Sequence, residues 1–409
     1  MRVKVRQGYK FRIRALSDEQ HILLCQQDGQ SRWVWNSFLA LDQDEWKAGR
    51  NRLSFAKQCR TLTAMRNSGQ YEWLSKGSRP AQSQALRNLQ TAWARYFHFL
   101  KIEPKLAEKP VFKKKGKHSG INWSGRQHVK LDQGNNRIKL PKLGWVRYRN
   151  SRDIEGDVIN ATVRRCGKNW MVSLGTEREV EAPKRKNYEQ RVGIDLGIAV
   201  HTALSTGEML QGVNALRAQQ SKLARTQRKL ARQKLKSNRR YQTKLKIGQI
   251  HRRAADVRND HLHKLTTTLA KNHGLVCVED LRVANMSKSA KGTAENPGKG
   301  VSAKSGLNRS ILDQGWGEMR RQLAYKLEWN GGTLQAVPPQ NTSRRCSACQ
   351  HIDKASRVSQ ALFRCTQCFG ELNADTNAAK NILAIGYAMA TAAGSSAENA
   401  QGGIGQWAP

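Results

Sequence analysis

Acidic residues are scarce in this chain. Its 409 residues include 31 Asp or Glu against 72 Lys or Arg, a formal net charge of +41. Such a protein repels itself unless a polyanion neutralises it. Nucleic acid is the first candidate and an anionic membrane surface the second. Long apolar runs are missing as well. None reaches the roughly 18 residues that suggest a membrane-spanning helix. The opening stretch, M-R-V-K-V-R-Q-G-Y-K, has no apolar signal-peptide core. The expectation is a cytoplasmic protein, nucleoid-associated in a bacterium, with no membrane partner.

A secreted disulfide framework is excluded in a chain this long with no export signal. Cys25, Cys59, Cys166 and Cys277 are scattered in apolar patterns and read as small buried hydrophobes. The other four cysteines are grouped. Cys346, Cys349, Cys365 and Cys368 have C-x2-C-x15-C-x2-C spacing. Each C-x-x-C pair aims two thiolates at one ion, and two pairs close a tetrahedral shell, the pattern of a structural zinc ribbon.

Residues 3–16 alternate apolar and basic side chains, as a strand does. Ser17 and Gln20 read as a capping box that opens a helical region. A clearer helix starts near Ser78, which can cap it, with Pro80 in the first turn. Its apolar face runs from Ala85 to Leu100. The opposite face presents Arg79, Gln82, Gln84, Arg87, Asn88 and Arg95, side chains suited to base edges. An ordinary solvated face is the competing reading. Short alternating runs between Ile121 and Leu174 suggest a small β-barrel or open sheet joined by the N-terminal strand. Glu177 to Arg191 reads as a charged linker.

Residues 214–272 form a helical, overwhelmingly basic stretch, expected to be a hairpin that breaks near Ser237 or Gly248. Arg225, Arg228, Lys229, Arg232, Arg239 and Arg240 on it suit a surface that tracks phosphates. Asn285 to Asn308 has no apolar period and reads as a mobile loop. Ser310 to Asn330 reads as an amphipathic helix. The last helix runs from Asp375 to about Met389, and 391–409 reads as a disordered tail.

Three acids stand at ends of apolar segments. Asp195 follows R-V-G-I, Glu279 follows G-L-V-C-V, and Asp375 opens the final helix. An α/β sheet can gather such positions at one edge. Crowded carboxylates repel unless divalent ions neutralise them, and that arrangement serves two-metal hydrolysis of a phosphodiester. Magnesium or manganese suits an all-oxygen site. The short I-D-L-G turn also occurs in actin-like ATPases, but no Gly-rich phosphate cradle accompanies it.

The chain resembles TnpB, the transposon-encoded RNA-guided endonuclease family related to type V CRISPR effectors. The likeness rests on R-W-V-W-N-S-F-L-A, R-I-K-L-P-K-L-G-W-V, G-I-D-L-G-I, H-K-L-T-T, V-E-D-L, D-Q-G-W-G-E, the paired C-x-x-C ribbon and D-T-N-A-A-K-N-I. It implies an α/β multidomain architecture: an RNase H-like (RuvC) nuclease with an inserted zinc ribbon, plus an N-terminal β-barrel wedge carrying a helical recognition lobe. The implied bounds are 1–16 and 105–180 for the wedge, 17–104 for the lobe, 191–340 and 371–390 for the nuclease, and 341–370 for the ribbon. It further implies a guide RNA, a double-stranded DNA target read beside a short motif, catalytic acids Asp195, Glu279 and Asp375, and zinc on the four cysteines. Where some members carry a first acid before N-A-A, this chain has Asn373. Where some carry a Lys-Phe pair and a Gln at the recognition helix, it has Arg79, Pro80 and Ser83. The DNA motif is therefore expected to differ, with Arg79, Gln82, Ser83 and Gln84 as candidates to read it. An RNA-guided repressor that does not cut, and a transposase that needs no guide, are the alternatives.

Overall fold

The computed structural model describes residues 2–116, 120–167, 169–184 and 186–397. The chain divides into two compact units, Met1–Glu181 and Ala182–Pro409.

In the first unit, β1 (Arg2–Arg14) leads into α1 (Asp18–Lys47). The Ser17–Gln20 capping box forms as expected. Gln20 Nε2 also donates to the carbonyls of Leu143 and Trp145, tying the helix start to the sheet. Then come α2 (Phe55–Asn67), the single turn α3 (Glu72–Ser75) and α4 (Arg79–Ile102). Phe38, Leu39, Leu62, Leu86, Leu89 and Trp93 form the core of these helices.

Six more strands follow: β2 (Ile121–Ser124), β3 (Lys130–Asp132), β4 (Arg137–Leu140), β5 (Gly144–Tyr148), β6 (Asp157–Cys166) and β7 (Asn169–Glu181). The sheet order is β2-β6-β7-β1-β5-β4-β3, antiparallel throughout. β1 pairs with β7 over Arg2–Arg12 and with β5 at Ile13 and Arg14, so the N-terminal strand does join this sheet. β7 extends to Glu181, which shortens the expected linker.

The second unit is built on a mixed sheet. Its strands are β8 (Arg191–Asp195), β9 (Thr202–Leu204), β10 (Met209–Leu210), β11 (Leu275–Glu279) and β12 (Thr333–Val337), in the order β10-β9-β8-β11-β12. β8, β11 and β12 are parallel; β9 runs back antiparallel to β8, and β10 pairs antiparallel with β9. The basic hairpin is α5 (Gln220–Ala231) and α6 (Asn238–Asn272). It breaks just before Ser237, whose Oγ caps α6, and Gly248 lies inside that helix.

The stretch expected to be a loop is one over 287–300, and its two ends lie in helices. After α7 (Val283–Met286) the chain turns and forms α8 (Val301–Gln314). Gly315, at φ +73°, breaks α8 from α9 (Trp316–Trp329), so one expected helix is two. A two-stranded hairpin, β13 (Leu362–Arg364) and β14 (Glu371–Asn373), belongs to the cysteine ribbon. α10 (Ala374–Ala397) follows and outruns its expected end near Met389. Residues 398–409 of the expected tail lie outside the described residues.

Alternation along β11 explains the layering. Val276 and Val278 pack with Leu262 and Leu269 of α6 and with Met319, Leu323 and Leu327 of α9. Leu275 and Cys277 face the other way, toward Ile382 and Ala390 of α10. A strand covered on both faces reads as a continuous apolar run, as L-V-C-V does here.

Candidate active site

Parallel pairing puts two acids side by side. Val278 is opposite Ile194 on the neighbouring strand, so Glu279 and Asp195 end adjacent strands at the same edge. α10 brings Asp375. Its approach depends on two glycines, because a Cβ at Gly193 would stand 2.1 Å from the Ala379 carbonyl and one at Gly386 2.4 Å from Cys277 Sγ. The helix thus lies almost directly on the sheet, with Asp375 in its first turn.

All three acids are half-buried. The Asp195 carboxyl is pushed up to about 7, first by burial and then by the charges of Glu279 and Asp375. Arg357 and the Leu196 N–H oppose that rise. Burial also raises Glu279, against a hydrogen bond of 2.5 Å from Thr342 Oγ1. Asn373, standing where some relatives carry an acid, accepts from the backbone N–H groups of Asp375 (2.9 Å) and Thr376 (3.2 Å). It caps α10, an N-terminal role that suits Asn.

Among the described residues, the four cysteines are the one cluster with three or more ligand atoms within 4.8 Å of one another. The three carboxylates stand more loosely. The sulfur separations are 3.7 Å for Cys346–Cys368 and 3.5 Å for Cys349–Cys365. Four thiolates at ~2.3 Å from a zinc ion would be ~3.8 Å apart, so the cluster fits that ion without rearrangement. Asn377 and Asn381 pin the first knuckle to α10. Asn377 accepts from Ser347 N and donates to the Arg345 carbonyl, while Asn381 donates to the Thr342 and Arg345 carbonyls.

The remaining candidates divide. Gln82 is buried at 1% exposure; its amide accepts from Arg66 and donates to the Leu74 carbonyl and Gln30. It holds helices together and does not face solvent, which corrects the expectation. Ser78 does not cap α4 either, and its Oγ accepts from Trp123 Nε1 at 3.0 Å. Arg79 is exposed, and Ser83 and Gln84 are half-buried. On the hairpin Arg225, Arg228, Lys229, Arg232 and Arg239 are exposed. Arg240 instead donates to the carbonyls of Leu230 and Gln233 and fixes the turn. Of the four scattered cysteines Cys277 is buried, its thiol pushed up to about 12, and the other three are half-buried.

Three family patterns match the chain: OrfB_IS605, described as "Probable transposase", over 173–290; "Cas12f1-like, TNB domain" over 316–382; and a "Helix-turn-helix domain" over 1–51. A protein of Escherichia coli (strain K12), named "Putative RNA-guided DNA endonuclease InsQ", is 45% identical over 94% of this chain and 93% of its own length. The chain belongs to the TnpB (IS605 OrfB) family. A second TnpB relative, from Streptomyces pristinaespiralis and also named as an RNA-guided DNA endonuclease, is 29% identical over 95% of this chain and 91% of its own. The solved Cas12f1-sgRNA-target DNA complex aligns over 93% of this chain and 98% of that one, at 14% identity and a TM-score of 0.48. In this TnpB chain the region matched as helix-turn-helix is one strand and one 30-residue helix.

Proposed function

We propose that this chain is an RNA-guided DNA endonuclease in which Asp195, Glu279 and Asp375 hold divalent cations, magnesium or manganese. The observation that carries the chemistry is the gathering of these acids at one sheet edge, where burial first and then the other two acids raise the carboxyl of Asp195. An all-oxygen donor set short of positive charge suits a hard divalent cation. Bound there, two such ions would supply an activated water and stabilise the leaving oxygen.

The chain's own groups prepare that site. Asp195 would hold a cation in its ionised form, the cation's charge offsetting the burial and neighbouring acids that raise its carboxyl. Thr342 orients Glu279 by its hydroxyl. Asn373 fixes the helix start that carries Asp375. The exposed arginines of α5 and α6 hold a guide–target duplex by its phosphates, a sequence-independent contact. The four cysteines would hold a zinc ion, which would keep the ribbon folded. The second unit is read as an RNase H-like core. The seven-stranded sheet is read as the barrel-like wedge, since Trp123 on edge strand β2 and Val129 beside edge strand β3 share one core with β1. Residues 17–104 are the helical recognition insertion.

A repressor that only binds would not need all three acids. A transposase acting without a guide would keep them. The test is to purify the protein from a host expressing its native locus, sequence the RNA that co-purifies, and assay cleavage of a matching supercoiled plasmid with and without prior RNase. Cleavage that RNase abolishes supports the proposal; cleavage that survives it favours the transposase.

A further inference from the structure

The ribbon treats its two phenylalanines in opposite ways. Phe363, on β13, is 1% exposed and packs with Cys346, Cys365 and Ala374. Phe369 is 76% exposed, more than any other large apolar side chain among the described residues. Its backbone is held at φ +57°, in the left-handed region that bulky residues rarely enter. The knuckle imposes that turn: Phe369 N donates to the Cys365 carbonyl at 3.1 Å, and Cys365 N to the Gly370 carbonyl at 3.0 Å. A glycine would make it without strain. The phenyl ring therefore costs backbone energy and leaves apolar surface in water, and it returns no packing to the ribbon. The first knuckle makes the same turn at Gln350, at φ +65°, so the conformation belongs to the knuckle; what sets the second apart is that an exposed phenyl ring occupies it.

The ribbon that carries Phe369 has a cationic excess in sequence, with Arg364 paired to Glu371. From Asn341 to Asn373 the chain carries Arg344, Arg345, Lys354, Arg357 and Arg364 against Asp353 and Glu371. An exposed ring among cations is how proteins hold an unpaired nucleobase, the ring stacking on the base while the cations follow the phosphates. Asp375 lies six positions beyond Phe369, at most about 20 Å of chain. Arg357 of the same ribbon is ion-paired with Asp375. The strand within reach is therefore the one that the acids act on.

We propose that Phe369 is a stacking platform for an unpaired base of the DNA strand presented to Asp195, Glu279 and Asp375. The proposal rests on the endonuclease reading above. Its test uses the full chain with its co-purified guide RNA and a guide-matched single-stranded DNA carrying 2-aminopurine at successive positions near the cut. Quenching of the probe at one position is expected. Phe369→Ala should remove that quenching and raise KM about ten-fold with kcat little changed, while Phe369→Tyr keeps both. Phe369→Gly should show the same cleavage defect yet melt no lower than the parent, because it relieves the strained turn. Zinc content should match the parent in all three variants. Unchanged KM and quenching in Phe369→Ala, with the parent cutting normally, overturn the platform alone. Quenching that reports from labelled guide RNA instead overturns the assignment to DNA. A parent complex that cuts no matched DNA removes the endonuclease reading, and the platform with it.

Discussion

Arg357 reaches out of the cysteine ribbon to place Nη2 3.5 Å from Oδ1 of Asp375, and its charge also restrains the rise of the Asp195 carboxyl. One guanidinium thus serves two of the three acids. The side chain is part-buried, so solvent screens it less than a surface pair. The ribbon thus brings a cation to the acids besides preceding α10 in the chain.

Arg357→Ala should lower cleavage roughly a hundred-fold at neutral pH, the scale of losing one oriented charge from a reaction centre. It should also move the acid limb of the rate profile to higher pH, because Asp195 loses the cation that favours its ionised form. Arg357→Lys should recover part of both effects. Plasmid cleavage across pH checks this. An unchanged profile would show that the pair matters only to the fold.

Asp195 makes a second prediction, about stability without metal. Its folded-state carboxyl sits near 7 against an ordinary 3.8. Between those values the unfolded chain has released the proton while the folded chain keeps it, so stability falls as pH rises from about 4 to 7 and then levels. Asp195→Asn lacks that loss. Its melting temperature should match the parent near pH 4 and exceed it above pH 7, corresponding to a free energy on the order of 4 kcal/mol. Cleavage should be lost although target binding persists. Melting curves in chelator across pH decide it, and parallel pH dependences would contradict the crowding of the carboxylates.

Much of this site was readable because acids that interrupt apolar runs stand out. Asp195 and Glu279 end buried strands, and Asp375 follows a ribbon whose cysteine spacing is specific. Arg357 carried no such signal, being one of 72 cations; only the folded ribbon gives it an acid to face. Gln82 looked like surface because polar helix positions usually are. Here Arg66 and the Leu74 carbonyl satisfy it inside, a tertiary arrangement that periodicity does not encode. α8 was hidden by its Ser, Gly and Lys content. Bonds from Lys304 Nζ to the Met286 carbonyl and from Asn308 Nδ2 to the Ser287 and Lys288 carbonyls tie it back to α7 and the turn that follows.

Gly193 offers a steric test of how Asp375 is delivered. A methyl group there meets the Ala379 carbonyl at 2.1 Å and Leu383 N at 2.7 Å, both backbone atoms that cannot swing aside. Gly193→Ala should push α10 off β8, destabilise the protein by about 3 kcal/mol or more, and abolish cleavage. Gly248 is the control, an α6 glycine with nothing within 4 Å of its added Cβ. Gly248→Ala should stabilise by up to ~1 kcal/mol and leave cleavage intact. Denaturant titration of both variants reads the difference, and a Gly193→Ala protein as stable as the parent would refute the close approach.

Removing one sulfur should disconnect the ribbon from the acids. The four cysteines need a metal to offset the closeness of their thiolates, and each ligand lost weakens the shell sharply. Cys365→Ser should drop bound zinc from one per chain to none and open 341–373 to proteolysis. It should also release Arg357 from Asp375, so that cleavage falls at least as far as in Arg357→Ala. Cys277→Ala deletes a buried thiol that lies outside the cluster. It should cost stability yet keep the zinc and the cleavage, since the knuckles and Arg357 are untouched. Metal analysis beside limited proteolysis makes the comparison. A Cys365→Ser protein that retained one zinc per chain would mean that these sulfurs are not its ligands, and that the hold of Arg357 on Asp375 has another source.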